Sequence, residues 1–351
     1  MKTTPTDAIV DTLLALVNIP SPTGRTHRAI QYIVARMNDL GGENMTVQRT
    51  NKGGLNVTVP GRDRATQRVL TAHVDTLGAM VKEIKEDGRL KLSQLGGYSW
   101  HSVDGEYCTV ETGNGQTISG TILATHTSVH VYADAREQAR TEENMEVRLD
   151  APVKSEADVH ALGINVGDFV SFDARAEKTA HGFVKSRHLD DKASTAILVE
   201  LIRYLVKTNT ELPYTTHFMF STFEEVGFGA NSGIPEGVRE YLAVDMGAIG
   251  EGQATDEYCV SICAKDSSGP YNYDLRQKLV ALAEQHDIYY QVDIYPFYGS
   301  DASAAVEAGA DLIHGLVGPG IDASHAYERT HEDALSNTFR LLYHYVLSPS
   351  L

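Results

Sequence analysis

The chain has 351 residues, 42% hydrophobic and 22% charged, which suits an ordinary globular protein of one large domain or two. Lys+Arg 30 against Asp+Glu 47 gives a formal net charge of −17, which argues against nucleic acid or an anionic membrane as partner. The opening Met1-Lys-Thr-Thr-Pro-Thr-Asp7 is polar, no apolar run is long enough to span a bilayer, and three cysteines fit a reducing cytoplasm. Cys259 and Cys263 form a C-x3-C with no second pair, so buried packing accounts for them better than a structural zinc site.

Apolar residues at helical spacing predict a helix over Asp7 to Ile19, stopped by Pro20-Ser-Pro-Thr-Gly24. A second amphipathic helix is expected over Thr26 to Leu40, closed by Gly41-Gly42. Met45–Gln48 and Leu55–Val59 read as strands. Arg68-Val-Leu-Thr-Ala-His-Val-Asp75 reads as a buried strand that ends in His73 and Asp75.

From about residue 77 the texture changes to short alternating segments separated by Lys85-Glu-Asp-Gly88 and Gly113-Asn-Gly115, which is hairpin chemistry. Thr117–Thr125, Asn144–Leu149 and Asp168–Phe172 continue the run, while Asp134–Asn144 reads as a loop or short surface helix. The expectation is an α/β protein with a mixed, mostly parallel sheet flanked by helices. Residues 1–76 and 183–351 would form the catalytic part, and 77–182 an inserted, β-barrel-like domain.

The α/β texture returns with Leu189-Asp-Asp-Lys192, a helix over Lys192 to Lys207, and the stretch Thr215 to Gly229. That stretch is apolar, aromatic or β-branched for most of its first nine residues, as a strand buried on both faces should be. It ends in Glu224 and Glu225, followed by glycines. Ligands of open α/β sheets collect at the carboxyl ends of strands, where two adjacent glutamates diverge and can do two jobs. Tyr241–Asp245 is a further strand ending in an acid, Leu275 to His286 is helical, Asp301–Gly309 and Asp311–Val317 make a helix–strand pair, and Glu332–Val346 is a closing helix entered through Thr330-His331.

His73, Asp75, Asp190, Glu224, Glu225, Asp245 and His331 therefore all stand at strand ends or helix starts along one sheet edge. So many carboxylates repel one another unless cations are bound. Three carboxylates and two neutral imidazoles around two divalent ions leave a charge of +1. Such a nitrogen and oxygen set suits Zn first, then Co or Mn. His73-x-Asp75 puts both groups on one strand face, so Asp75 can hold the other imidazole nitrogen.

Ala72-His-Val-Asp-Thr-Leu-Gly78, Leu189-Asp-Asp-Lys192, Phe223-Glu-Glu-Val-Gly227, Val244-Asp245 and Thr330-His331 resemble, in order, the motifs of metallopeptidase family 42, the tetrahedral, glutamyl and deblocking aminopeptidases. The resemblance spans nearly the whole chain. Lys192 stands where an arginine is common, and Glu332-Asp333 follows the last histidine where Ser-Pro is usual. The resemblance implies that His73, Asp190 and Asp245 hold one metal. It implies that Asp190, as a bridge, holds the other with Glu225 and His331, and that Glu224 is the general base. His325 and Tyr327, in Ser324-His-Ala-Tyr-Glu328, offer an alternative imidazole and a substrate contact.

The implied activity is hydrolysis of the amino-terminal bond of short peptides in the cytoplasm, by a homo-oligomer for which a dodecamer built from dimers ranks before a stable dimer, with the inserted domain 77–182 implied to serve dimerisation and substrate access. Three rival readings stay open at this point. One is a related dinuclear amide hydrolase, such as a dipeptidase, carboxypeptidase or deacylase. Another is a glycoside hydrolase using paired carboxylates. The third is a metal binder without turnover.

Overall fold

The structure, a computed structural model, describes residues 4–41 and 45–350. Gly42, expected to help close the second helix, and Met1 to Thr3 of the polar opening lie outside the described residues. A mixed nine-stranded sheet forms the centre of the larger part. Its order is Thr46–Arg49, Leu55–Val59, Leu212–Ser221, Gly61–His73, Val238–Val244, Ile313–Ile321, Val260–Lys265 and Tyr290–Ile294, with the short Gly247–Ala248 beside Ile313–Ile321. The four central strands, from Leu212–Ser221 to Ile313–Ile321, run parallel, so their carboxyl ends share one edge.

Alternation along these strands builds two cores. Phe218, Phe220, Leu70, Leu242 and Val244 point to one face. Met219, Val69, Tyr241 and Ala243 point to the other. The first face is covered by the helices Thr6–Val17, His27–Asn38, Leu189–Lys207, Tyr273–Gln285 and Glu332–Leu347, whose buried stripes belong to the same cluster. Ile9, Leu13, Leu16 and Val17 form such a stripe, and the helix stops before Pro20, which cannot continue it. Ala302 and Ala305 of the short helix Asp301–Glu307 pack on the second face. Truncating Phe218 or Phe220 to alanine would cost about 3–5 kcal/mol, as for other fully buried aromatics.

A closed barrel of six antiparallel strands is inserted after the first sheet strands. Its cyclic order is Gly78–Ile84, Leu90–Leu95, Met145–Leu149, Thr117–Ala124, Tyr107–Glu111 and Phe169–Phe172, around a core that includes Val81, Leu92, Val110, Ile122, Val147 and Val170. The mixed sheet with flanking helices and an inserted barrel agrees with the fold expected from the sequence. A third sheet of Glu177–Lys178, Phe183–Ser186 and Glu328–His331 ties the chain leaving the barrel to the segment before the last helix.

Several elements differ from expectation. The strand expected over Arg68–Asp75 spans Gly61–His73, so Asp75 lies in the loop beyond it. The helix expected from Lys192 begins at Leu189, with Asp190 (φ −76, ψ 106) and Asp191 (φ −119, ψ 32) outside helical geometry and a cis peptide bond between them. Val260–Lys265, Tyr290–Ile294 and the helix Glu156–Ala161 were not expected. The first contains Ser261 and Lys265, the second lies at the sheet's edge, and the third is a six-residue turn whose only buried residue is Val159. Cys259 and Cys263 are buried, and all three cysteines are free.

Candidate metal centre

At the carboxyl edge of the parallel strands, His73, Asp190 and Asp245 bring ligand atoms within 4.8 Å of one another, and Asp190, Glu225 and His325 do the same. Asp190 belongs to both groups. Its Oδ1 lies 3.1 Å from His73 Nε2, and its Oδ2 lies 3.2 Å from His325 Nε2. The two imidazoles thus face opposite oxygens of one carboxylate. Glu225 Oε2 lies 3.5 Å from His325 Nε2, and Asp245 Oδ2 lies 3.9 Å from His73 Nε2.

Each imidazole is oriented through its second nitrogen. His73 Nδ1 lies 2.9 Å from the main-chain oxygen of Asp75 and 3.5 Å from that residue's carboxylate. His325 Nδ1 lies 2.5 Å from the main-chain oxygen of Gly97. A proton on Nδ1 in each ring leaves Nε2 a lone pair aimed at the cluster. His325 also has a left-handed backbone (φ 62), and its N–H donates to Glu328 Oε1 at 3.0 Å. The other Glu328 oxygen accepts the N–H of Asp190 at 3.1 Å. One buried glutamate therefore fixes the backbone of both residues.

Asp75 is fully buried, with Thr23 Oγ1 donating to its Oδ2 at 2.8 Å. Its two oxygens also accept the N–H groups of Glu224 and Glu225, at 3.2 and 3.3 Å. The glutamates turn through Glu224–Val226 and leave at Gly227, whose φ of 84 is left-handed. Glu224 Oε2 stands 3.6 Å from His73 Nε2.

The buried acids of the cluster act on one another. Burial first, and neighbouring acids next, push Asp245 up to about 7. Burial pushes Glu225 up to about 8 and Glu224 well above the usual carboxylate range. Burial alone would lower the His73 and His325 imidazoles. Glu224 and Asp190 hold His73 well above its ordinary value, and Asp190 and Glu225 carry His325 to about 11. So many buried acids beside two imidazoles form a donor set whose charge a cation would balance. Glu225 Oε1 is buried with no hydrogen-bond partner. The mixed imidazole and carboxylate donors, the shared Asp190 and this orphaned oxygen fit a pair of divalent cations.

His331 is not in the cluster, which corrects the second ligand set expected from the sequence. It caps the helix Glu332–Leu347, with Nδ1 accepting the N–H of Asp333 at 3.1 Å and Nε2 2.9 Å from the main-chain oxygen of His181. Both nitrogens are engaged, and the ring packs against Phe183 and Tyr258. His325, the alternative imidazole offered by the sequence, stands in the cluster beside Asp190 and Glu225. Tyr327 does not line the cavity at the cluster: its hydroxyl donates to the main-chain oxygen of Arg175 at 2.7 Å, and the Arg175 guanidinium covers its ring. Asp191, Asp301 and Glu328 were missed by sequence reasoning. Asp191 Oδ2 accepts the N–H of His73 at 3.2 Å, and Asp301 Oδ2 accepts from Ser221 Oγ at 2.5 Å. Asp191 stood in the recognised Leu189-Asp-Asp-Lys192 run, Asp301 at the start of an expected helix and Glu328 at the end of the Ser324-His-Ala-Tyr-Glu328 run, but none of the three was read as part of the site.

Residues 53–341 match the family described as M42 glutamyl aminopeptidase. The chain is 61% identical over 334 residues to "Putative aminopeptidase YhfE" of Bacillus subtilis (strain 168), covering 95% of this chain and 96% of that protein. It is 26% identical over 221 residues to the glutamyl aminopeptidase of Lactococcus lactis subsp. cremoris (strain MG1363), covering 62% and 60% of the two chains. Its fold is similar to that of the TET1 peptidase of Pyrococcus horikoshii, which is described as assembling into a tetrahedron or a large octahedral shell. That similarity has a TM-score of 0.84–0.85 in two solved structures at 23% identity, the latter covering 97% of this chain and 100% of the neighbour. The match across most of the chain and the close relative together establish that this protein belongs to the M42 peptidase family and is an aminopeptidase.

Proposed function

We propose that the chain removes N-terminal residues from short peptides at a pair of divalent metal ions. His73, Asp190 and Asp245 would hold one ion, and Asp190, Glu225 and His325 the other. The observation that carries this reading is Asp190, whose two oxygens face two different imidazoles. When bound, the ions supply Lewis-acid polarisation of the peptide carbonyl and an acidified water. Zinc is the proposed metal from the donor types, with cobalt or manganese as alternatives.

Glu224 is the proposed base. Its oxygen lies beside His73 without belonging to either ligand group, and it is free to take a proton and pass it to the leaving amine. Asp75 is the proposed positioning residue: it fixes the His73 ring through its main-chain oxygen and the two glutamates through its carboxylate. Glycoside hydrolysis by two carboxylates would leave both imidazoles and Asp245 without a role, and a pure metal binder would need no base.

A homo-oligomer, with a dodecamer ranked before a stable dimer, is also proposed. Its support is the assembly described for the Pyrococcus protein and the exposed Val292 and Ile294 on the sheet's edge strand. The large negative charge would keep such a particle dispersed. A cytoplasmic location is proposed from the three free, buried cysteines. No helix among the described residues is long and apolar enough to cross a membrane.

The test is an assay of free, N-acetylated and C-terminally amidated peptides with and without a chelator. Loss of activity on chelation and refusal of acetylated peptides are expected. Hydrolysis that proceeds equally on acetylated peptides would place the enzyme among the other dinuclear amide hydrolases.

A further inference from the structure

The cavity that opens onto the cluster has a volume of about 690 Å³. One wall is a single face of the helix Asp301–Glu307 with its cap: Ser300, Ser303, Ala304 and Glu307 stand at positions i, i+3, i+4 and i+7 and all line the cavity. The opposite face of that helix is apolar, with Ala302 and Ala305 packed on the sheet. The cavity side is therefore polar in a helix whose remainder obeys ordinary core patterning. Two acids stand at its ends. Asp301 is 3% exposed, and its Oδ1 has no hydrogen-bond partner. Glu307 lies roughly 9 Å farther along the helix axis. It is exposed.

No lysine or arginine lines this cavity among the described residues, and its one histidine is His325 of the cluster. Lys52 lies within electrostatic reach of Asp301. It is outside the cavity lining, however, and donates to the main-chain oxygens of Phe228 and Gly229 at 2.8 and 2.5 Å. At the mouth, Phe297 is 96% exposed, an aromatic face against which an aliphatic stem or a cation can rest.

Resting on the aminopeptidase reading of the site, we propose that the cavity selects peptides whose N-terminal residue is lysine or arginine and disfavours glutamate and aspartate, with Glu307 as the specificity-determining acid. A long cationic side chain lies along the polar face of the helix and meets Glu307. An acidic one would meet a wall that carries its own sign of charge. The family is described by glutamyl specificity, and this wall offers that side chain no cation.

The test compares kcat/KM of the metal-loaded enzyme on lysyl-, arginyl-, alanyl- and glutamyl-naphthylamides. Lysyl and arginyl substrates should exceed glutamyl by at least about tenfold, because like-charge juxtaposition is strongly disfavoured. Glu307→Lys should shift the lysyl-to-glutamyl ratio towards glutamate by about fivefold or more, the scale of a partly exposed charge pair counted for both substrates. Calorimetry with free lysine and glutamate gives a readout apart from turnover, and lysine should bind more tightly. A wild-type preference for glutamyl substrates, or a ratio unmoved by Glu307→Lys, would overturn this inference while leaving the aminopeptidase reading intact. No turnover of any substrate would overturn both.

Discussion

Asp75 accepts the main-chain N–H of Glu225 at 3.3 Å, so a residue just past one strand sets the turn that ends the next. The same carboxylate takes the N–H of Glu224 at 3.2 Å, and the same residue's main-chain oxygen orients His73. One buried acid thereby fixes the relative positions of a proposed ligand, a proposed base and an imidazole.

Asp75→Asn tests that coupling. An asparagine of the same shape keeps one acceptor oxygen and turns an NH₂ towards a backbone N–H, so one of the two bonds is lost. The expected result is a fall in kcat of about 10- to 100-fold, the usual scale for residues that orient metal-site groups. The fold, read by circular dichroism, should be retained. Unchanged kcat with unchanged metal content would remove Asp75 from the machinery.

Glu224→Gln should retain both metals and lose turnover by about 10²- to 10⁴-fold, the range of general acid–base catalysis. Glu225 and Glu224 are neighbours in sequence, yet only Glu225 falls in a ligand group. Metal analysis beside steady-state kinetics separates the roles. A Glu224→Gln enzyme that keeps near-wild-type kcat would show that the base lies elsewhere.

The histidines give a paired test. His325→Ala should lower the metal content from two ions per chain towards one, since Asp190 and Glu225 alone make a poor site. His331→Ala should keep two, because its nitrogens serve a helix cap and a main-chain oxygen. Elemental analysis of the purified variants decides. Two metals in His325→Ala and one in His331→Ala would restore the ligand set read from sequence.

That paired test marks where the sequence stops being legible. His73, Asp190, Glu225 and Asp245 could be gathered in advance because each stands at or beside a strand end or helix start, and parallel strands bring such ends to one edge. The barrel was readable from its hairpin turns and alternation, which are local. His331 satisfies the same local rule, since it precedes a helix. It fails because the strand Glu328–His331 pairs with Phe183–Ser186, with His331 opposite Phe183 and Glu328 opposite Ser186, near Arg187 and Asp190. Which end of a four-residue strand faces the site is a tertiary fact. Glu328 was missed for the same reason: its two backbone partners, His325 and Asp190, lie 3 and 138 positions away, and only the folded chain joins them.

The barrel itself reaches into the site. Gly97, which follows its strand Leu90–Leu95, supplies the main-chain oxygen that orients His325. Arg187 is almost fully buried and joins the two parts. It donates to Glu106 at 2.5 Å and to Ser102 on the barrel side, and to the main-chain oxygen of Ala326, next to His325, at 3.2 Å. Replacing Leu77–Gly182 with a short linker removes the Gly97 oxygen that orients His325 and two partners of Arg187, Glu106 and Ser102. The expected outcome is loss of the His325 metal, activity and assembly together, whereas Arg187→Lys in the full chain should weaken the same metal and leave assembly intact. Light scattering and metal analysis on the two variants check this. A linker variant that is monomeric near 38.3 kDa less the deleted segment, yet binds two metals, would show that the barrel serves assembly alone. One that also retains full activity would show that the enclosing particle is dispensable for short peptides.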